Sequence, residues 1–269
     1  MYTFIKFGGS VITDKTGRES ANLDVIQRLA QAVAAARAAN PALALVLGHG
    51  SGSFGHHYAA RYGVHRGIPL DADHTGFALT AAAALRLNRI VVDTLLEADV
   101  PAVSLQPSAS LRSANGQITH WETTPIYEAL QRRLIPVIHG DVAFDETQGT
   151  AIISTEALLS FLALRSPLRP QRIILVGEQA VYTADPHRDP TAQPIPLITQ
   201  ENIAQVLSQT GGSRAADVTG GMRSKIEFMW QLVEAIPDLE VWLIGPIPER
   251  LTAVLLGQSP AVGTLMKQC

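Results

Sequence analysis

Short apolar runs alternate along the chain with longer segments of helical period, and this alternation constrains the fold more than any other feature. Strands covered by helices on both faces read as near-continuous apolar runs, and strand–helix alternation builds a largely parallel sheet. The predicted strands are Tyr2–Phe7, Leu43–Leu47, Ala102–Leu105, Ile135–His139, Arg172–Val176 and Leu239–Ile244. The predicted helices are Asn22–Ala39, Ser53–Tyr62, Thr75–Glu97, Thr155–Arg165, Glu201–Gln209 and Met222–Ile236. Asn22 is placed to cap the first helix, and Asn40-Pro41 stops it. Asn115-Gly116 predicts a hairpin turn between Leu111–Ser113 and Gln117–Trp121, and a second hairpin joins Val142–Phe144 to Thr150–Ile153. Asp185–Pro196, with four prolines, is expected to be an extended surface loop. The best boundary is Ser166-Pro167-Leu168-Arg169-Pro170, dividing 1–165 from 166–269 with one sheet running through both.

Composition narrows the function classes. With 21 basic against 24 acidic residues and a pI near 6.2, the chain has no basic footprint for nucleic acid. Its one cysteine, Cys269, excludes an internal disulfide framework and a Cys-rich zinc site. No apolar stretch reads as a membrane span, and the N-terminus does not read as a secretory signal. The expectation is a reduced, cytoplasmic protein without membrane partners.

Three glycine-rich turns follow strands or open helices: Gly8-Gly9-Ser10, then His49–His56, then Thr219-Gly220-Gly221. Glycine lets backbone N–H groups approach an anion closely, and a following helix adds a favourable dipole. One such turn can serve geometry alone. Three in one α/β chain point to a shared crevice at the strands' carboxyl ends. Gly50-Ser51-Gly52-Ser53-Phe54-Gly55 matches G-x-G-x-x-G, but the following strand and its acid are missing: Ile68–Asp73 is loop-like. P-loop, protein-kinase and G-x-S-x-G hydrolase signatures are absent as well.

Lys6 lies inside an apolar strand just before Gly8-Gly9. It is either a strand-end lysine reaching solvent or an ammonium aimed at a phosphate held by those glycines. Lys15, taken alone, is a surface lysine. Lys225 falls about one turn into a helix that begins at the third glycine turn, within reach of an anion there. His56, at the start of the helix after the middle turn, is placed to hydrogen-bond an acceptor oxygen. Metal binding by His49, His56 and His57 is the other reading, without an H-E-x-x-H pattern to support it.

Together these segments resemble the amino acid kinase superfamily and, within it, its isopentenyl phosphate kinase branch. The resemblance spans essentially the whole chain. It rests on Lys6–Lys15, His49–His56, His139-Gly140-Asp141-Val142, Tyr182–Pro186, and Asp217–Met222 with Lys225. It implies an open α/β/α sandwich with a largely parallel central sheet, an acceptor half, an ATP half and a homodimer. It implies ATP as co-substrate, with Mg²⁺ held mainly by ATP phosphates and water. Lys6 and Lys15 would neutralise the transferring phosphoryl group, and His56 would bind the acceptor phosphate beside Gly50, Ser51, Gly55 and Gly140. Asp141 would position a lysine or magnesium. Gly8, Gly9, Ser10, Gly52, Gly177, Tyr182, Asp185, Gly220, Gly221 and Lys225 would line ATP.

Two positions depart from the pattern: Gly177-Glu178-Gln179-Ala180-Val181 replaces an Asp-x-Asp-Gly run, and Ser51 replaces a glycine. The competing readings are a kinase of another small acceptor, a nucleotide-binding regulator without turnover, and a dinucleotide oxidoreductase.

Overall fold

The computed structural model describes residues 2–14, 17–186, 188–210 and 221–268. The chain opens with β1 (Tyr2–Phe7), the short α1 (Gly9–Ile12), α2 (Leu23–Ala39) and β2 (Ala44–His49). Helices α3 (Gly52–Tyr62) and α4 (Thr75–Glu97) lead to β3 (Ala102–Ser104) and a hairpin of β4 (Leu111–Ala114) and β5 (Gln117–Trp121). Then come α5 (Thr124–Gln131), β6 (Ile135–His139), β7 (Asp141–Asp145), β8 (Gly149–Ile153), α6 (Thr155–Arg165) and β9 (Pro170–Val176). The remainder is β10 (Val181–Tyr182), β11 (Pro194–Ile195), β12 (Leu197–Ile198), α7 (Ile203–Gln209), α8 (Gly221–Ala235), β13 (Glu240–Ile244), α9 (Pro248–Leu255) and β14 (Thr264–Met266).

One eight-stranded sheet, ordered β12-β14-β13-β9-β1-β2-β6-β3, carries the fold. Its pairs are parallel except for β13 against β14. Alternation along β1 feeds two cores. Phe4 belongs to the cluster under α5, α6 and α8, whereas Ile5 and Phe7 belong to the one under α2, α4 and α9. This is the open α/β/α sandwich. A second sheet, β5-β4-β7-β8, stands beside it. Helix α4 is long and apolar enough to cross a membrane by length and composition, yet its Ala83, Leu87, Val91 and Leu95 are buried in the second core.

Several sequence expectations change. Strand β2 runs on through Gly48 and His49, so His49 ends a strand rather than opening a turn. Gly48 permits this because a Cβ there would meet Thr155 of α6 at 2.5 Å. Asn22 occupies the N-cap position of α2, but its side chain makes no capping bond. The Asp185–Pro196 segment is not wholly loop, since Pro194–Ile195 pairs with Val181–Tyr182. Asn115 and Gly116 both take positive φ, 50° and 73°, as a two-residue hairpin with a right-handed twist requires.

Candidate active site

Four glycines lie one residue past the carboxyl ends of neighbouring strands and continue the sheet's hydrogen bonding. Gly177 N donates to Ile244 O (2.9 Å), Gly8 N to Val176 O (2.8 Å), Gly50 N to Phe7 O (3.1 Å) and Gly140 N to His49 O (3.0 Å). Strand order thus lines up turns that are far apart in sequence, on the edge where open α/β sheets bind ligands. The first two turns pack backbone against backbone. A Cβ on Gly9 would stand 2.7 Å from Gly52 N, and one on Gly52, at φ +48°, would stand 2.6 Å from Gly9 O. Only glycine permits that approach. Thr13 Oγ1 ties the pair together, donating to Gly9 O (2.7 Å) and accepting from Ser53 N (3.0 Å).

Period 2 along β1 sends Lys6 to the same side as Phe4, toward α6. There its ammonium donates to Glu156 in an ion pair whose side chains are only 14 % and 15 % exposed. Burial pushes the Glu156 carboxyl up, but the adjoining Lys6 ammonium outweighs it and holds the group below the usual carboxylate range. The charge of Lys225, on α8, acts in the same direction. One carboxylate therefore pairs with a lysine of β1 and feels the charge of another on α8. Sequence reasoning missed Glu156, because an acid in the first turn of a helix reads as dipole compensation. That turn is indeed capped, with Ser154 Oγ accepting from Ala157 N at 3.1 Å.

Asp141 begins β7 and is buried. Its carboxylate accepts from Val142 N (2.8 Å) and Ser108 N (3.2 Å), so both oxygens serve local backbone. In the middle turn, Ser51 precedes α3 and its carbonyl accepts from Phe54 N (3.1 Å) and Gly55 N (3.3 Å). The absence of a side chain at Gly55 leaves room for the Ser51 hydroxymethyl group. His56 is exposed in the second turn of α3. His49 is far from that surface: it is fully buried, stacked on His139 at 5.6 Å, and bonded to Gly50 O and Asn88. Burial, and secondarily His139, pushes its pKa down to about 3, so it stays neutral. It cannot share a metal with His56 and His57.

On the other half, Gly177 faces open space and Tyr182 is half-buried on β10. Asp185 is exposed and pairs with Arg188 at 3.4 Å. In the departing segment, the Gln179 side chain accepts from Arg250 of α9 and covers Gly245. Ser10 is exposed on α1, and Gly221 begins α8. Lys15 and Gly220 lie outside the described residues.

Glycine turns in a row at one sheet edge, with a largely buried Lys6–Glu156 pair beside them, are the features of an enzyme that handles phosphate groups. A family model for the amino acid kinase family matches residues 1–240, and the chain belongs to that family. Within it the similarity is to isopentenyl phosphate kinases. That of Methanothermobacter thermautotrophicus is 35 % identical over 262 residues, covering 94 % of this chain and 95 % of its own. That of Methanocaldococcus jannaschii is 34 % identical over 235 residues, covering 85 % and 86 %. A crystal structure of an isopentenyl phosphate kinase superposes with a TM-score of 0.80 at 31 % identity, covering 99 % of this chain and all of that one.

Proposed function

We propose that this chain transfers the γ-phosphoryl group of ATP to the phosphate of isopentenyl phosphate, forming isopentenyl diphosphate for isoprenoid synthesis. The observation that carries the reading is the Lys6–Glu156 pair, with the charge of Lys225 acting on it, beside the aligned glycine turns. Similarity to isopentenyl phosphate kinases along nearly the whole chain supports the choice of acceptor.

Phosphoryl transfer asks for positioning and charge stabilisation. Glu156 holds the Lys6 ammonium at the end of β1, where charge on the transferring group can be met by a preorganised cation. Lys15 supplies a second cation, and Lys225 serves the ATP phosphates from α8. Residues 1–165 form the acceptor half and 166–269 the ATP half, with Gly177, Tyr182, Asp185, Gly220 and Gly221 on the nucleotide side. A phosphate monoester, with its second pKa near 6, is already an oxyanion nucleophile at neutral pH, so no general base is needed. Mg²⁺ enters as the counter-ion of ATP, held by its phosphates and by water. Among the described residues no group of three or more His, Cys, Asp or Glu side chains is gathered, and no step here runs through a protein-held ion. A small buried apolar cluster of Ala59, Val64, Ile68 and Val142, with Phe77 and Ile152 against it, packs beneath α3. A cytoplasmic homodimer belongs to the same reading.

The deciding experiment is an acceptor panel with ATP·Mg²⁺: isopentenyl phosphate, dimethylallyl phosphate, fosfomycin, UMP and acetylglutamate. Isopentenyl phosphate should give the highest kcat/KM. Preference for another acceptor, or no ADP release with any, would replace this reading.

His56 should select the phosphate acceptor. Losing one hydrogen bond to a charged group costs about 1.5–3 kcal/mol, or roughly one to two decades in kcat/KM. His56→Ala should lose that much toward isopentenyl phosphate, and His56→Gln, which can still donate, should recover part. His57→Ala, about 100° round the helix, should be nearly silent. A drop in thermal midpoint with per-molecule activity intact would make His56 structural instead.

A further inference from the structure

Strands β2 and β6 each end in a histidine followed by glycine, and His49 and His139 are register partners in the sheet. Both rings are fully buried and stack with centroids 5.6 Å apart and planes at 27°. Each turns Nδ1 to the carbonyl of the glycine that follows it, His49 to Gly50 O at 3.1 Å and His139 to Gly140 O at 3.2 Å. A carbonyl only accepts, so Nδ1 carries the proton in both rings. Burial keeps His49 neutral, which leaves its Nε2 as an acceptor, and Asn88 Nδ2 of α4 donates to it at 3.1 Å. Asn88 Oδ1 in turn accepts from Ser104 Oγ of β3. The order of donors is therefore fixed from β3, through α4, to the Gly50 carbonyl. His139 Nε2 has no partner among the described residues, so the Gly140 carbonyl and the His49 ring hold that imidazole.

This chain of bonds ends on a peptide whose direction local sterics leave open. Gly50 packs on the first turn so closely that a Cβ would stand 2.9 Å from Gly9 N. Glycine is required there, and glycine has the widest backbone freedom. No cis peptide occurs among the described residues, so the C=O and N–H of the Gly50–Ser51 peptide point opposite ways. With Gly50 O drawn onto the buried ring, Ser51 N–H points away from it. Turning that peptide over would exchange the amide for a carbonyl dipole, and an anion is bound by N–H groups. The ring thus decides which end of the peptide the turn offers. Buried polar networks are costly unless satisfied, and satisfied ones specify a single arrangement.

We propose that His49 is a positioning residue of the phosphoryl transfer: its Nδ1–H bond to Gly50 O holds the Gly50–Ser51 peptide so that Ser51 N–H is presented to the acceptor phosphate. Asn88 and Ser104 act behind it by holding the tautomer. The inference rests on the acceptor given under the proposed function.

Two substitutions separate the two ends of the ring. His49→Asn places an amide nitrogen where Nδ1 lies, keeps the donor to Gly50 O and abandons Asn88. His49→Gln reaches the Nε2 position, keeps a partner for Asn88 and leaves Gly50 O without its donor. Each loses one buried hydrogen bond, so the two thermal midpoints should fall by similar amounts. Per folded molecule at saturating ATP·Mg²⁺, His49→Gln should lower kcat/KM for isopentenyl phosphate about 10- to 100-fold, the scale of losing one hydrogen bond to a charged group. His49→Asn should stay within about three-fold of wild type, because the bond to Gly50 O survives. The KM for ATP should move little in either. Binding of isopentenyl phosphate measured by calorimetry without ATP should follow the same order. Ser104→Ala, milder for folding, frees the Asn88 amide to rotate and should give the same acceptor-selective loss by a smaller factor. Equal losses in the two His49 variants, or wild-type kcat/KM in His49→Gln, overturn the inference and leave the ring a core-packing residue. A raised KM for ATP with the acceptor unaffected overturns it as well. These outcomes require an active wild type and leave the proposed function standing. A wild-type enzyme that neither binds nor turns over isopentenyl phosphate overturns that function, and with it the ligand assigned to Ser51 N–H.

Discussion

Lys6→Ala is expected to lower kcat by about two to three orders of magnitude, the loss seen when a preorganised charge stabiliser is removed. The acceptor KM should stay within a few-fold, because the charge on the transferring group changes most in the transition state. The structure adds a second consequence. Glu156 loses the cation that offsets its burial, and removing one partner of a buried pair costs about 3–5 kcal/mol. The lower end applies here, since both side chains keep some exposure and Lys225 remains nearby. Lys6→Ala should therefore lower the thermal midpoint as well as the rate. The two effects can be separated with Lys6→Ala/Glu156→Gln, which removes the stranded charge. Its midpoint should recover and its kcat should not. Recovery of both would make the lysine a structural counter-ion only, and a Lys6→Ala enzyme with normal kcat and a raised KM would place the ammonium elsewhere.

Asp145→Ala is expected to destabilise the fold by about 3–5 kcal/mol without touching the Lys6–Glu156 pair, a size typical of breaking a buried hydrogen-bonded network. Asp145 is 4 % exposed at the end of β7. Its Oδ1 accepts from Asn115 N, Thr147 N and Gln148 N, all at 3.0 Å, and its Oδ2 accepts from Ser113 Oγ and Gly116 N, both at 2.8 Å. One carboxylate thus joins the β4–β5 turn to the β7–β8 turn. Burial alone would raise its pKa. The bonds from Gly116, Ser113, Gln148 and Thr147 overcome that and bring it to about 2. A depressed carboxylate pKa contributes stability above the unfolded value near 4, and that stability is lost as pH falls from about 4 toward 2. At about 1.4 kcal/mol per pKa unit the protonation-linked part is about 2 kcal/mol. Urea midpoints at pH 7 and pH 3 should therefore converge between wild type and Asp145→Asn as pH falls. A constant gap across that range would show that the carboxylate charge is not what holds the two turns.

Local chemistry makes much of this chain legible. The ends of β1, β6, α4 and α6 follow from apolar period and from adjacent breakers, because strand and helix patterns are properties of a few consecutive residues. Asn115-Gly116 names its own turn, since both positions need positive φ. Helices α5 and α9 escape such reading. Each spans eight residues with a proline in its first turn, too short for the period to emerge. The strand-length pieces β10, β11, β12 and β14 exist through partners supplied from elsewhere in the fold.

The site divides along the same line. The glycine turns, Lys6, Lys225 and His56 stand out as candidates because an anion site would demand backbone freedom and positive charge in short stretches. What joins them is not local. Gly8, Gly50, Gly140 and Gly177 share one edge only because the sheet orders its strands β9-β1-β2-β6. Lys6 meets Glu156, 150 residues away, only because α6 packs on the face to which β1 turns its even-numbered side chains. His49 finds Asn88 across 39 residues for the same kind of reason. Residue types and turn chemistry were set by the sequence alone, because conformational preference and charge are carried residue by residue. Which carboxylate answers which cation was decided by the tertiary structure, because side chains from distant segments pair only after burial of the apolar faces has fixed how strands and helices lie against one another.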